Sequence, residues 1–127
     1  IPYLNWLTED DTILAISGIA NPKPFIRYLR TFKARIKVKV FSDHHNFSYR
    51  DIDRILERFE AMPGKKKYII TTEKDAVKLA CHPHYPQALK AHTFYLPVKV
   101  QFTQQQGNVS FDETLRKLIA DGNSTSQ

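Results

Sequence analysis

Thr12-Ile13-Leu14-Ala15-Ile16-Ser17-Gly18 is a short, almost unbroken apolar run closed by a glycine, and it limits the folds open to this chain more than any other segment. A strand that alternates apolar with polar residues can leave one face in water. A continuous run must be covered on both faces, which is the situation of a central strand in a parallel sheet flanked by helices. Asn21-Pro22 follows at once: asparagine is a good N-cap, and proline suits the first helical position, where its missing N–H costs nothing. The helix that starts here carries Phe25, Ile26, Leu29 and Phe32 as one apolar stripe, with Lys23, Arg27, Arg30 and Lys33 largely off it.

The pattern then repeats. Arg35 to Phe41 alternates basic with apolar, Ile36, Val38 and Val40 against Arg35, Lys37 and Lys39, the period of a half-exposed strand near a sheet edge. Ser48 and Asp51 have capping-box spacing, and the helix behind them packs through Ile52, Ile55, Leu56 and Phe59 until Pro63-Gly64 stops it. Lys67 to Thr72 reads as a third strand, and Thr72 with Asp75 caps a short helix through Leu79. Cys81 to Ala91, with Pro83 and Pro86, should be a loop with at most a turn of helix. Thr93 to Phe102 is expected to be the last strand, bulged or at an edge because of Pro97. Ser110 and Glu113 then predict a final helix through Leu115, Leu118 and Ile119. The fold class is therefore α/β: a three-layer α/β/α, Rossmann-like domain with a small, mainly parallel sheet and right-handed crossovers.

With 127 residues, 42% of them hydrophobic, the chain can close one ordinary core. Residues 12–121 are expected to form that one domain, with residues 1–11 leading into it as a linker and 122–127 as a disordered tail. A start at Ile1 without methionine suggests a piece of something longer. Neither a membrane-length apolar run nor a signal peptide is visible, so the piece itself is expected to be soluble. The lone Cys81 excludes an internal disulfide, fits a cytosolic setting and reads as a partly buried, ordinary thiol. The formal charge of +6, from 19 Lys and Arg against 13 Asp and Glu, favours anionic partners in general, although solvated basic faces account for most of it.

In an open parallel sheet, ligands bind beyond the C-terminal ends of the strands. Three polar loops should meet there: Gly18 to Asn21, Ser42 to Phe47, and Thr71 to Asp75. The first is neither a G-x-G-x-x-G dinucleotide turn nor a G-x-x-x-x-G-K-[ST] phosphate loop, so no cofactor-binding residue is assigned in this chain. Asp43-His44-His45 is the densest group of proton-transfer side chains. Adjacent histidines on extended backbone diverge, and His82 and His84 lie on a loop leading elsewhere, so no metal ligand is assigned either. What remains for the triplet is loop and helix capping, or one histidine in the cleft acting as a base with a carboxylate to orient it. Thr72, Glu73 and Asp75 have a capping role. Lys74 does not, because a cation in a first helical turn opposes the helix dipole and points to an anionic partner.

Ile16-Ser17-Gly18-Ile19-Ala20-Asn21-Pro22-Lys23-Pro24-Phe25, Phe41-Ser42-Asp43-His44-His45-Asn46-Phe47-Ser48 and Thr71-Thr72-Glu73-Lys74-Asp75-Ala76-Val77-Lys78-Leu79 resemble, in order and spacing, the C-terminal half of tetraacyldisaccharide 4'-kinases. The resemblance implies transfer of the ATP γ-phosphate, with Mg2+, to the 4'-hydroxyl of a tetraacylated disaccharide 1-phosphate. It also implies work on the cytoplasmic face of the Gram-negative inner membrane, with the P-loop, magnesium ligands and membrane anchor in an N-terminal lobe and no kinase activity in this piece alone. It makes residues 1–11 the linker from that lobe, and it implies that His44 faces the interlobe cleft and pairs with an aspartate of the N-terminal lobe in activating the hydroxyl, as the catalytic base with Asp43 in support; His45, Lys74, Asn21 and Gly18 are read on the substrate side. Partners implied are the lipid disaccharide, the P-loop lobe and a peripheral membrane contact, with no nucleic acid. Ser42 and Phe47 stand where many members carry proline and tyrosine. Two other readings remain open from the residues: a basic α/β module binding anions or lipid through Arg30 to Lys39 and Lys65 to Lys67, and a metal-dependent phosphoesterase of the Asp-His-His type.

Overall fold

A computed structural model of the chain describes residues 7–99, 110–111 and 116–117. β1 (Asp11–Ser17) is buried along its whole length and lies between β2 (Arg35–Val40) and β3 (Lys66–Thr72), parallel to both. β4 (Thr93–Leu96) adds to β3, again parallel. The unbroken apolar run thus sits where its two faces demand, and the alternating β2 lies at the sheet edge.

Alternate residues of β1 supply two cores. Leu14 and Ile16 pack with Ile69 against Ile52, Ile55 and Phe59 of α2 (Tyr49–Ala61) and Ala76 and Leu79 of α3 (Glu73–Ala80). Ile13 and Ala15 pack on the other face with Ile70 and Phe94 against Phe25 and Leu29 of α1 (Lys23–Leu29). That is the expected three-layer arrangement. α2 opens on the full Ser48–Asp51 capping box. The loop after α3 holds only the short α4 (Gln87–Lys90). Thr12 Oγ1 donates to the Pro63 carbonyl, and Gly64, at φ +132°, turns the chain so that the Lys65 amide reaches Asp10 O at 2.7 Å. At the outer edge, Arg58 Nη1 donates to Val38 O at 3.0 Å.

Four details differ from the sequence reading. The N-cap of α1 is Pro22 rather than Asn21, with no side-chain cap bond of its own; the Pro22 carbonyl accepts the Ile26 amide at 3.0 Å, while Asn21 Oδ1 receives the Lys23 amide at 3.4 Å. Phe32 lies beyond the end of α1, half-buried and edge-on to Tyr28. Pro97 ends β4, and Val98–Lys99 (β5) pairs instead with Ser110–Phe111 (β6) in a separate two-stranded sheet. A proline cannot donate to the ladder, so the chain changes sheets there.

The last difference is the largest. Where a final helix was expected, Ser110–Phe111 is extended and Arg116–Lys117 (β7) pairs antiparallel with β4. The open edge of β4 offers unpaired backbone groups, and pairing with them outweighs a local capping signal. Glu113, Leu115, Leu118 and Ile119 of that helix, residues 100–102 of the expected strand, residues 1–6 of the linker and the tail 122–127 lie outside the described residues. Within the rest of the linker, Leu7 is buried in the α1-side core and Asp11 begins β1.

Candidate functional site

The C-terminal ends of β1, β2 and β3 open on a cleft of about 540 Å³ lined by Gly18, Ile19, Ala20, Asp43, His44, Lys74, Asp75, Val77 and Lys78. The three loops expected to meet do meet. Residues from all of them share one wall, and the lining includes Gly18, Asp43, His44 and Lys74 of the predicted site residues. His45 and Asn21 are not among the lining residues.

Ser42 to His45 forms a β-turn closed by the His45 amide on Ser42 O at 3.2 Å. Its third residue, His44, has φ +57° and is the only non-glycine residue with positive φ among those described. Turns of this kind favour glycine or asparagine at that position, so a histidine there carries roughly 1–3 kcal/mol of local strain. The strain is held by neighbours: the His44 amide donates to Gly18 O at 3.2 Å, and the Phe41 amide to Ser17 O at 2.7 Å. The His44 side chain is 80% exposed, with Nε2 3.4 Å from Asp43 Oδ2, a loose solvent-facing pair.

His45 turns the other way. Its Nε2 lies 2.7 Å from Asp51 Oδ2, its ring stacks on Phe41 at 4.6 Å, and its carbonyl receives Lys78 Nζ at 2.9 Å. Burial opposes ionisation of Asp51, but the Ser48 amide, the His45 ring and the Ser48 hydroxyl together hold its carboxyl below the usual range. His45 therefore fastens the loop to α2. Lys78, which sequence reasoning passed over, fastens the same loop to α3.

Lys74 is exposed at the cleft, and among the described residues no carboxylate lies within ion-pair distance of it. His82 Nε2 lies 2.8 Å from Phe47 O and His84 Nε2 lies 2.8 Å from Asp53 Oδ1, both away from the cleft. No group of three metal-ligating side chains gathers among the described residues. Cys81, expected to be partly buried, is exposed, because it caps the C-terminal end of α3 rather than facing the core.

The residue most undervalued by sequence reasoning is Asp75. It is 1% exposed, and its Oδ2 receives both the Gly18 amide at 2.9 Å and the Thr72 hydroxyl at 2.6 Å. A capping role was legible in Thr72 and Asp75; a bond spanning 57 positions of chain was not.

Fold and site together define a class: a parallel α/β domain that presents a strained, histidine-bearing turn over an open cleft at its strand ends. A family profile described as tetraacyldisaccharide-1-P 4'-kinase matches residues 5–120, and the chain belongs to that family. Among similar curated proteins, the tetraacyldisaccharide 4'-kinase of Phocaeicola vulgatus is 43% identical over 81% of this chain and 28% of its own length. That of Bacteroides fragilis is 43% identical over 81% and 27%, and that of Parabacteroides distasonis 33% over 91% and 31%. The chain thus spans under a third of the length of these relatives. No solved structure matches it.

Proposed function

We propose that this chain forms the hydroxyl-activating lobe of a tetraacyldisaccharide 4'-kinase, with His44 as the base that takes the proton of the 4'-hydroxyl. The observation that carries this reading is the turn at His44. A strained backbone holds an exposed imidazole at the rim of a cleft that joins all three strand-end loops. With Nε2 directed at Asp43, Nδ1 is the nitrogen left to accept a proton, and the carboxylate stabilises the imidazolium that results.

Lys74 supplies positive charge toward the phosphate of the disaccharide. Gly18 lets the two loops close on each other, and Asn21 and His45 support the rim and the turn from outside the cleft. Positioning and charge are most of what phosphoryl transfer asks of a protein, and a base at the attacking hydroxyl is a consistent share for one lobe.

Nucleotide phosphates do not fit the turn after β1. Its Gly18 amide is already taken by Asp75, whose carboxylate would repel a phosphate, and Asp43 is a single exposed acid rather than a magnesium cage. ATP and Mg2+ accordingly belong to the rest of the enzyme in this reading. Contact with the cytoplasmic face of the inner membrane would be peripheral; no helix among the described residues is long and apolar enough to cross a membrane.

In the intact enzyme, His44→Ala should lower kcat for phosphoryl transfer to the disaccharide about 10²–10³-fold, with KM within about threefold. An unchanged kcat would remove His44 from the reaction.

A further inference from the structure

α2 and α3 begin alike. Each has a hydroxyl residue at the N-cap, Ser48 or Thr72, whose side chain accepts the amide of an aspartate three residues on. The two aspartates then diverge. Asp51 returns its carboxylate to the Ser48 amide at 2.9 Å, completing the usual reciprocal cap, and also holds His45. Asp75 gives its own N-cap only the hydroxyl contact and spends the same oxygen on the Gly18 amide across the sheet.

A carboxylate this deeply buried is unfavourable unless its partners compensate it, and a helix cap alone would be satisfied at the surface, as Asp51 shows. Asp75 Oδ1 has no hydrogen-bond partner among the described residues, so Gly18 and Thr72 alone fix the carboxylate's place. Gly18 in turn accepts the His44 amide through its carbonyl. A Cβ at Gly18 would lie 3.1 Å from Asp75 Oδ1 and 3.3 Å from Ser42 O, so the three parts meet without spare room.

We infer that Asp75 is a positioning residue for His44. Through the Gly18 peptide it sets where the strained turn stands, while Asp51 anchors the other end of the turn through His45. The loop is strung between the starts of two helices. This inference rests on the proposed role of His44 and assigns Asp75 no contact with substrate.

The test is a double-mutant cycle in the intact enzyme, assayed at a temperature where circular dichroism shows every variant folded. Asp75→Ala removes the acceptor from Gly18 and should lower kcat about 100-fold, the scale of a displacement near 1 Å in a reacting group, with KM little changed. Asp75→Asn keeps an acceptor for Gly18 and Thr72 and should stay within about fivefold of the parent. In a His44→Ala background, Asp75→Ala should cost nothing further, because the group it positions is gone.

If Asp75→Ala lowers activity equally in both backgrounds, or leaves kcat intact in the parent, the positioning role is overturned. Should Asp75→Ala have no folded window, Asp75→Asn enters the same cycle, and its smaller loss must likewise vanish when His44 is alanine. Failure of the His44 reading is separable: there His44→Ala alone would leave kcat unchanged.

Discussion

Gly64→Ala should destabilise the chain by about 1–5 kcal/mol, and the structure separates the causes. At φ +132° the backbone is in a region that only glycine occupies freely, and a side chain there costs about 1–3 kcal/mol. A Cβ would also lie 2.6 Å from Thr12 Oγ1 and 3.1 Å from Asp10 O. Thr12 cannot retreat, because it is fully buried and its hydroxyl is bound to the Pro63 carbonyl, so overpacking adds about 1–3 kcal/mol. Alanine's stiffer unfolded chain returns about 0.4–1 kcal/mol. For a domain of this size each kcal/mol moves Tm by roughly 3–5 °C, so a loss on the order of 10 °C should appear in thermal melts, with a matching drop in the urea midpoint. Repeating the substitution in a Thr12→Ala background should recover about half, since the contact is relieved and the backbone strain is not. A loss under about 1 kcal/mol for Gly64→Ala alone, or full recovery with Thr12→Ala, would refute the argument.

Two further outcomes follow from the cleft and its supports. Asp51 has its carboxyl held below the ordinary 3.8, so its stabilising contribution is present above that value and is lost as pH falls through the lower folded value. Urea melts of the parent and Asp51→Asn should therefore stay apart above about pH 4 and draw together as pH falls below it toward the lower folded value; parallel curves would deny the linkage. Lys74→Gln should raise KM for the disaccharide 1-phosphate about fivefold in the intact enzyme, the scale of one solvent-exposed charge contact of about 1 kcal/mol, with kcat nearly unchanged. An unaltered KM would make Lys74 an ordinary surface residue.

Most of the sheet and its layers were readable in advance because they follow from short-range patterns. The almost unbroken apolar run from Thr12 to Gly18 becomes an interior strand, buried on both faces; Arg35 to Val40 alternates and becomes the edge. Ser48 and Asp51 are three apart and close the box that spacing suggests. Reading failed where distant groups decide. Nothing near Asp75 in sequence announces Gly18, and the extended backbone at Ser110–Phe111 and Arg116–Lys117 answers to partners in β5 and β4 rather than to a capping signal. The site was legible as a place, since strand ends converge by topology, and Asp43, His44 and Lys74 are found there. The opposite courses of His44 and His45 were legible only in outline. Their divergence comes from a turn with positive φ rather than from extended backbone.

The contact between Arg58 and Val38 O concerns what happens before the domain is complete. β2 carries its unpaired backbone groups on the outer edge of the sheet, and Arg58 of α2 covers one of them. Such an edge is a template for another chain until it is covered. Closure therefore depends on the order of events: a nascent chain in which β1 and β2 have paired but α2 has not docked exposes an adhesive strand, guarded only by the charges of Arg35, Lys37 and Lys39. How long that edge stays open during synthesis is then a matter of timing, set by how soon the helix after the His44 loop docks.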